Sequence, residues 1–208
     1  MKKYILFDND GVLVETEPLY YEASKRALKE FFNVDLEFEQ YMKIMTDGKG
    51  VWVAASKASQ EEIIVAREQR DVYYQEYLKT EDIAIDGIHD ILEELSEKYK
   101  MGIVTTSRRV DFEIIHNNRG ITDFMDFVLC VEDYPRSKPY PDPYLKGLEL
   151  FNAKKEEAIV VEDSQRGLIS ANKAKIDCAI VHNKFTQTQD FSTAKHKINN
   201  LKELINIL

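Results

Sequence analysis

From residue 81 onward, short apolar runs alternate with longer segments of helical periodicity, and this rhythm restricts the fold more than any other feature of the chain. Residues 101–105, 127–130, 158–161 and 177–181 are runs of strand length, apolar apart from Thr105 and Asp177 at their ends. Continuous rather than alternating polarity marks strands buried on both faces. The stretches between them carry helical spacing. One opens at Asp86-Gly87 and presents Ile88, Ile91, Leu92 and Leu95; the others cover residues 110–118 (with Gly120 placed as C-cap), 142–151 and 164–174, and a last one covers 201–208. A fifth apolar run, residues 4–8, opens the chain and ends in charge. Regular alternation of this kind implies an α/β fold, a parallel sheet with helices on both faces.

The rhythm is interrupted once. Residues 17–32, 37–45 and 59–79 all read as helices, with no strand between them. Thr16 is positioned to cap the first, Pro18 sits in its first turn, and Ser59-Gln60-Glu61-Glu62 is a capping-box start for the third. The glycines of Thr46-Asp47-Gly48-Lys49-Gly50 mark a loop. The expected organisation is therefore one α/β core, residues 1–15 and 81–208, with an all-helical insertion, residues 16–80, after the first strand.

Charge narrows the partners. With 28 Lys and Arg against 37 Asp and Glu, the chain of 208 residues carries a net charge of −9. Such a chain repels nucleic acid and anionic membrane, and neither is an expected partner. No apolar stretch approaches the ~20 residues of a membrane span, and the run after Met1-Lys2-Lys3 is broken by Asp8, Asn9 and Asp10 before it resembles a secretion signal. The expectation is a soluble, cytoplasmic monomer. Cys130 and Cys178 lie in apolar runs and read as buried hydrophobes.

In open α/β sheets, ligands bind at the carboxyl ends of the strands. Those ends read Asp8-Asn9-Asp10-Gly11, Thr105-Thr106-Ser107 and Glu162-Asp163-Ser164, and the loop after the third core strand carries Arg136-Ser137-Lys138-Pro139. Four carboxylates, several hydroxyls and one lysine are thereby gathered at one edge. Crowded carboxylates repel one another, and a hard divalent cation with oxygen preference, Mg²⁺ above all, relieves the repulsion. Neither His nor Cys is near them in sequence, which disfavours zinc. A cation and Lys138 together suit a phosphate, Thr105 can donate to it, a carboxylate can attack it, and a second carboxyl two residues on can move the proton.

These segments resemble the four motifs of the haloacid dehalogenase superfamily. Phe7-Asp8-Asn9-Asp10-Gly11-Val12-Leu13-Val14-Glu15-Thr16-Glu17 is similar to the first, Ile103-Val104-Thr105-Thr106-Ser107 to the second, Ser137-Lys138-Pro139-Tyr140-Pro141-Asp142-Pro143 to the third, and Val160-Val161-Glu162-Asp163-Ser164-Gln165-Arg166-Gly167 to the fourth. All four in order are far more specific than any one alone. The resemblance implies a Rossmann-like core and a Mg²⁺-dependent phosphatase acting on a small phosphorylated metabolite. Asp8 would be nucleophile and metal ligand. Asp10 would be acid/base, with its backbone carbonyl on the metal. Thr105 and Lys138 would bind phosphoryl, Asp163 would bind the metal, and Glu162 would stand in or beside that shell. The helical insertion resembles the small cap of the β-phosphoglucomutase-like and phosphoglycolate phosphatase-like branch. Glu15-Thr16 stands where Asp-Ser is more usual, and Tyr20-Tyr21 where the mutases carry a histidine, which weakens a mutase reading in favour of hydrolysis.

Other readings remain beside these. A mutase, or a silent homologue that only binds ligand, would share the fold; the second would be marked by loss of Asp8, Asp10, Lys138 or Asp163, and all are present. Thr106 and Ser107 read as caps for the next helix, and Asp163 as both cap and ligand. His89, His116, His182 and His196 have no ligand spacing and read as structural or surface. Tyr73, Tyr74 and Tyr77 read as packing. Lys49 and Trp52, at the loop 46–50, are candidates for touching substrate.

Overall fold

A computed structural model describes all residues, 1–208, and separates them into two compact units, Met1–Glu15 with Ala84–Leu208, and Thr16–Ile83. The first unit is built on six parallel strands: β1 (Tyr4–Phe7), β2 (Lys100–Val104), β3 (Phe127–Leu129), β4 (Ala158–Glu162), β5 (Asp177–Val181) and β6 (His196–Ile198). Their order is β3-β2-β1-β4-β5-β6. β1 is central, and the chain winds outward from it on one side and then on the other. The switch of direction falls between β1 and β4, where such sheets open a crevice.

Register sets the site. Phe7 is level with Ile103 on one side and Val161 on the other, so Asp8, Val104 and Glu162 leave the sheet together. Ile5, Leu6, Phe7, Met101, Ile103, Val104 and all of β4 are fully or almost fully buried. Each such apolar side chain stabilises the fold by roughly 1.5–3 kcal/mol relative to exposure. The continuous apolar runs are thus strands covered on both faces, as expected for parallel pairing. Both cysteines are buried and unpaired. No helix of the structure is long and apolar enough to cross a membrane.

The core helices are α4 (Ile88–Ser96), α5 (Arg109–His116), α6 (Asp142–Phe151), α7 (Gln165–Ala174) and the short α8 (Leu204–Ile207). The second unit holds only helices: α1 (Glu17–Phe32), α2 (Phe38–Thr46), α3 (Gln60–Thr80) and a single 3-10 turn, Val51–Ala54. α1 packs on α3, where Tyr73 Oη donates to Glu30 Oε2 at 2.5 Å and Arg26 lies 3.6 Å from the Tyr73 ring centre. The capping box forms as read: Ser59 Oγ accepts from Glu62 N at 3.2 Å and Glu62 Oε2 from Ser59 N at 2.8 Å.

Several local expectations fail for identifiable reasons. Thr16 has helical backbone (φ −98°, ψ −18°) and makes no side-chain cap bond; a capping oxygen needs an extended residue to reach the first turn. Gly120 lies beyond the end of α5, which closes at Asn117, and instead opens a 3-10 turn at Ile121–Phe124 with φ 69°. Residues 201–208 divide into a 3-10 turn and the four-residue α8. β6 has no counterpart in the sequence reading.

Candidate active site

The turn after β1 is folded around one carbonyl. Asn9 O accepts from the amides of Val12, Leu13 and Val14 at 3.2, 2.8 and 3.3 Å. Gly11 takes φ +77°, and a Cβ there would stand 2.3 Å from Asp163 Oδ2 and from Asn183 Nδ2. Only glycine satisfies both the left-handed backbone and this approach. Asp163 is held against the turn by Asn183, whose Nδ2 donates to Asp163 Oδ2 at 2.9 Å.

Lys138 is the one cation in this cluster, and all three of its ammonium hydrogens have acceptors: Val104 O at 2.9 Å, Asp8 Oδ1 at 2.8 Å and Glu162 Oε1 at 2.7 Å. Glu162 is fully buried. Its Oε1 also accepts from Tyr144 Oη at 2.6 Å, and its Oε2 from Ser164 Oγ at 2.9 Å and Asp163 N at 3.2 Å. Burial opposes charge on both partners. Attraction to Asp8 and Glu162 outweighs it for Lys138, whose pKa is raised, and attraction to Lys138 outweighs it for Glu162, whose pKa is lowered. Asp8 goes the other way. Burial, then the charges of Glu162 and Asp10, push it up to about 7 against the pull of Lys138.

Asp10 is half-buried. Its Oδ2 accepts from Ser107 Oγ at 2.7 Å and Thr105 Oγ1 at 3.3 Å. Thr105 is fixed in turn by Ser107 N on its hydroxyl at 3.0 Å and by Tyr134 Oη on its carbonyl at 2.5 Å. His116, at the end of α5, meets Asn9 Oδ1 through Nε2 at 2.7 Å; burial drives its pKa down to about 4, so it is neutral at pH 7 and Nε2 is the donor.

The structure therefore brings Asp8, Asp10, Thr105, Lys138, Glu162 and Asp163 to one edge. One oxygen from each of Asp8, Glu162 and Asp163 lies within 4.8 Å of the others. An all-carboxylate set with a single compensating lysine has the chemistry to hold a hard divalent cation. Lys49 and Trp52 belong to the helical unit. Lys49 is exposed and pairs with Asp47 at 3.2 Å, and Trp52 is buried there beside Arg70.

Residues 5–181 match the profile of the haloacid dehalogenase-like hydrolases. The chain belongs to that family. This hydrolase is similar to the pyrophosphatase PpaX of Bacillus cereus (strain Q1), with 28% identity over 181 residues, 85% of this chain and 82% of that one. Its fold is that of CbbY from Rhodobacter sphaeroides, solved with phosphate (TM-score 0.82, 23% identity, 98% and 96% coverage), and of a predicted phosphoglycolate phosphatase from Haemophilus somnus (TM-score 0.87, 21% identity, 99% and 97% coverage).

The sequence reading missed the supporting residues of the hydrolase. Ser107 does not cap α5, whose first turn follows Arg108, but holds Asp10. Ser164, not Asp163, caps α7. Tyr144, Tyr134 and His116 come from segments with no motif. Asn183 did carry a signal, since it lies just past the carboxyl end of β5, the same edge as the motif residues.

Proposed function

We propose that this hydrolase is a Mg²⁺-dependent phosphatase that cleaves a small phosphomonoester, a sugar phosphate or related metabolite, through an aspartyl-phosphate. The observation that carries the reading is the crowding of Asp8, Glu162 and Asp163, with one oxygen of each within 4.8 Å of the others, while the single ammonium of Lys138 bridges Asp8 and Glu162. Relatives support it: one is a pyrophosphatase, and CbbY has been solved with phosphate and with xylulose-1,5-bisphosphate.

In the proposed reaction a carboxylate oxygen of Asp8 bonds to phosphorus as the ester P–O bond breaks, and Asp10 gives its proton to the leaving oxygen. Asp10 then takes a proton from water, the water oxygen attacks phosphorus, and the bond to Asp8 breaks, releasing phosphate. The bond from Ser107 holds the Asp10 carboxyl in place for both transfers, while Thr105, with a single hydroxyl proton, turns from Asp10 to the phosphoryl group. Thr105 and Lys138 bind the phosphoryl oxygens, and Lys138 does so by exchanging its bond to Asp8 for one to the phosphoryl group. Asp8, Asp163 and the backbone carbonyl of Asp10 would hold Mg²⁺, which supplies neutralisation of the phosphoryl charge. We assign Glu162, both of whose oxygens already accept protein donors, to holding Lys138. The helical unit serves as cap, with Lys49 and Trp52 as candidate substrate contacts.

The test is phosphate release from p-nitrophenyl phosphate and a sugar-phosphate panel, with Mg²⁺ and with EDTA. Turnover should require Mg²⁺ and vanish in Asp8→Asn. Release that survives either EDTA or Asp8→Asn contradicts the mechanism.

A further inference from the structure

The two arms of the Asn183 amide, just past the carboxyl end of β5, do different things. Oδ1 turns back on its own loop and accepts from Phe185 N at 2.8 Å, the short turn that Asn and Asp both make. The same loop closes on the Asn183 backbone, whose carbonyl accepts from Thr186 N at 3.1 Å and from Thr186 Oγ1 at 3.4 Å. Nδ2 serves another segment. It donates to Asp163 Oδ2 at 2.9 Å and lies 3.5 Å from Gly11 O. Asn183 is 5% exposed and Asp163 3%.

The loop accounts for Oδ1 alone. An aspartate would make the same turn, but its second oxygen could not donate and its charge would stand against that of Asp163. What the amide adds is one donor aimed at a buried carboxylate. A lysine or arginine would donate as well, but its charge would cancel the one that a cation needs. A neutral donor fixes the carboxylate and leaves its charge in place. The sheet order β1-β4-β5 puts Asp163, which follows β4, between the turn after β1 and the loop after β5. Both close on it: a Cβ at Gly11 would stand 2.3 Å from Asp163 Oδ2 and from Asn183 Nδ2.

We propose that Asn183 is a positioning residue for cation binding: it fixes the rotation of Asp163, and this preset carboxylate raises the affinity of the site for a hard divalent cation. The inference rests on the cation of the phosphatase reading and adds to it a residue outside the four motif segments. Partners that orient a ligand group in this way are worth about 10–100-fold in metal affinity.

The first test is binding of Mn²⁺ to the full chain without substrate. Mn²⁺ shares the preference of Mg²⁺ for carboxylate oxygens, and its free ion is counted by electron paramagnetic resonance. Asn183→Ser keeps a side-chain oxygen for the turn, as serine makes it more weakly, but is too short to reach Asp163. Its Mn²⁺ dissociation constant should rise about 10–100-fold, and that of Asn183→Ala likewise. Thr186→Val loosens the same loop, leaves Nδ2 on Asp163, and should bind Mn²⁺ as wild type does. Affinity unchanged in Asn183→Ser and Asn183→Ala overturns the proposal. An equal loss in Thr186→Val also overturns it, because the loop and not the amide donor would then set the affinity. Should Asn183→Ala not fold, Asn183→Ser decides.

A second measurement separates positioning from damage to the fold. In p-nitrophenyl phosphate turnover, the Mg²⁺ concentration for half-maximal rate should rise in Asn183→Ser by a factor similar to that for Mn²⁺, while kcat at saturating Mg²⁺ returns to within a few-fold of wild type. A kcat that no Mg²⁺ concentration restores, with the half-maximal concentration unmoved, counts against the role. The two readings fail separately. A wild type that binds Mn²⁺ in an Asn183-dependent way but releases no phosphate from any ester sinks the phosphatase reading and leaves this inference standing. A wild type that turns over with Mg²⁺, beside Asn183 variants that bind Mn²⁺ equally well, sinks the inference and leaves the phosphatase reading intact.

Discussion

At the scale of single residues, Lys138 and Glu162 are better understood as one unit than as two. Each is almost completely buried; Lys138 holds the charge of Glu162, and Asp8 and Glu162 together hold that of Lys138. Buried pairs contribute little net stability as pairs, but removing one partner leaves a naked charge and costs about 3–5 kcal/mol. Lys138→Met should therefore lose both activity and roughly that much stability. Adding Glu162→Gln removes the uncompensated charge and keeps a shape that Tyr144 and Ser164 can still meet. The double variant should recover much of the stability and none of the activity. Urea unfolding separates the two effects. A Lys138→Met protein as stable as wild type would mean that Glu162 is not held as a carboxylate by this lysine. Tyr144 enters the same account, since its hydroxyl shares Glu162 Oε1 with the lysine.

At the scale of elements, the joint between β4 and α7 ties fold to chemistry. Ser164 Oγ accepts from Gly167 N at 3.2 Å as the helix cap and donates to Glu162 Oε2 at 2.9 Å. Gly167 packs so closely that a Cβ would lie 1.8 Å from Glu162 Cδ. Losing the cap in Ser164→Ala should cost about 1 kcal/mol. Gly167→Ala should cost more, about 1–3 kcal/mol of overpacking, and should lose far more activity, because the only relief is to move Glu162 away from Lys138. Equal activities in the two variants would break the proposed link. The strands on either side of this joint were legible because burial on both faces leaves an unbroken apolar run. β6 was not: it is a three-residue edge strand, His196-Lys197-Ile198, with only Ile198 buried. The helix ends at Thr16 and Gly120 misled because caps depend on backbone angles that residue type only biases. The motif acids were legible because they directly follow strands. Ser107, Tyr134, Tyr144, His116 and Asn183 reach them across distances in sequence that only strand register and helix placement close.

At the scale of the whole molecule, protonation and cation binding are coupled. The folded state raises the Asp8 pKa to about 7, so its contribution to stability is complete below the ordinary carboxylate pKa and is lost as pH rises toward 7. His116 works oppositely: its folded pKa of about 4 lies below its ordinary value, so its contribution is complete above about pH 6.5 and is lost as pH falls. The two slopes oppose each other in the mildly acidic range, and a single melting profile would hide both. The difference between melting with Mg²⁺ and with EDTA removes His116, which is common to the two arms. Mg²⁺ requires Asp8 as carboxylate, so the gain from the ion should be small near pH 5.5 and grow through pH 7 to 8. At a Mg²⁺ concentration about a hundredfold above its Kd, the gain approaches about 2.7 kcal/mol, or roughly 5–10 °C for a chain of this size. The net charge of −9 requires a control, since any salt screens self-repulsion; the EDTA arm is therefore matched in ionic strength with sodium chloride. Asp8→Asn should lose most of the gain at every pH. A gain equal at pH 5.5 and 8, or one reproduced by sodium, would mean that the cation acts on the general charge of the protein and not on the carboxylates at the ends of β1 and β4.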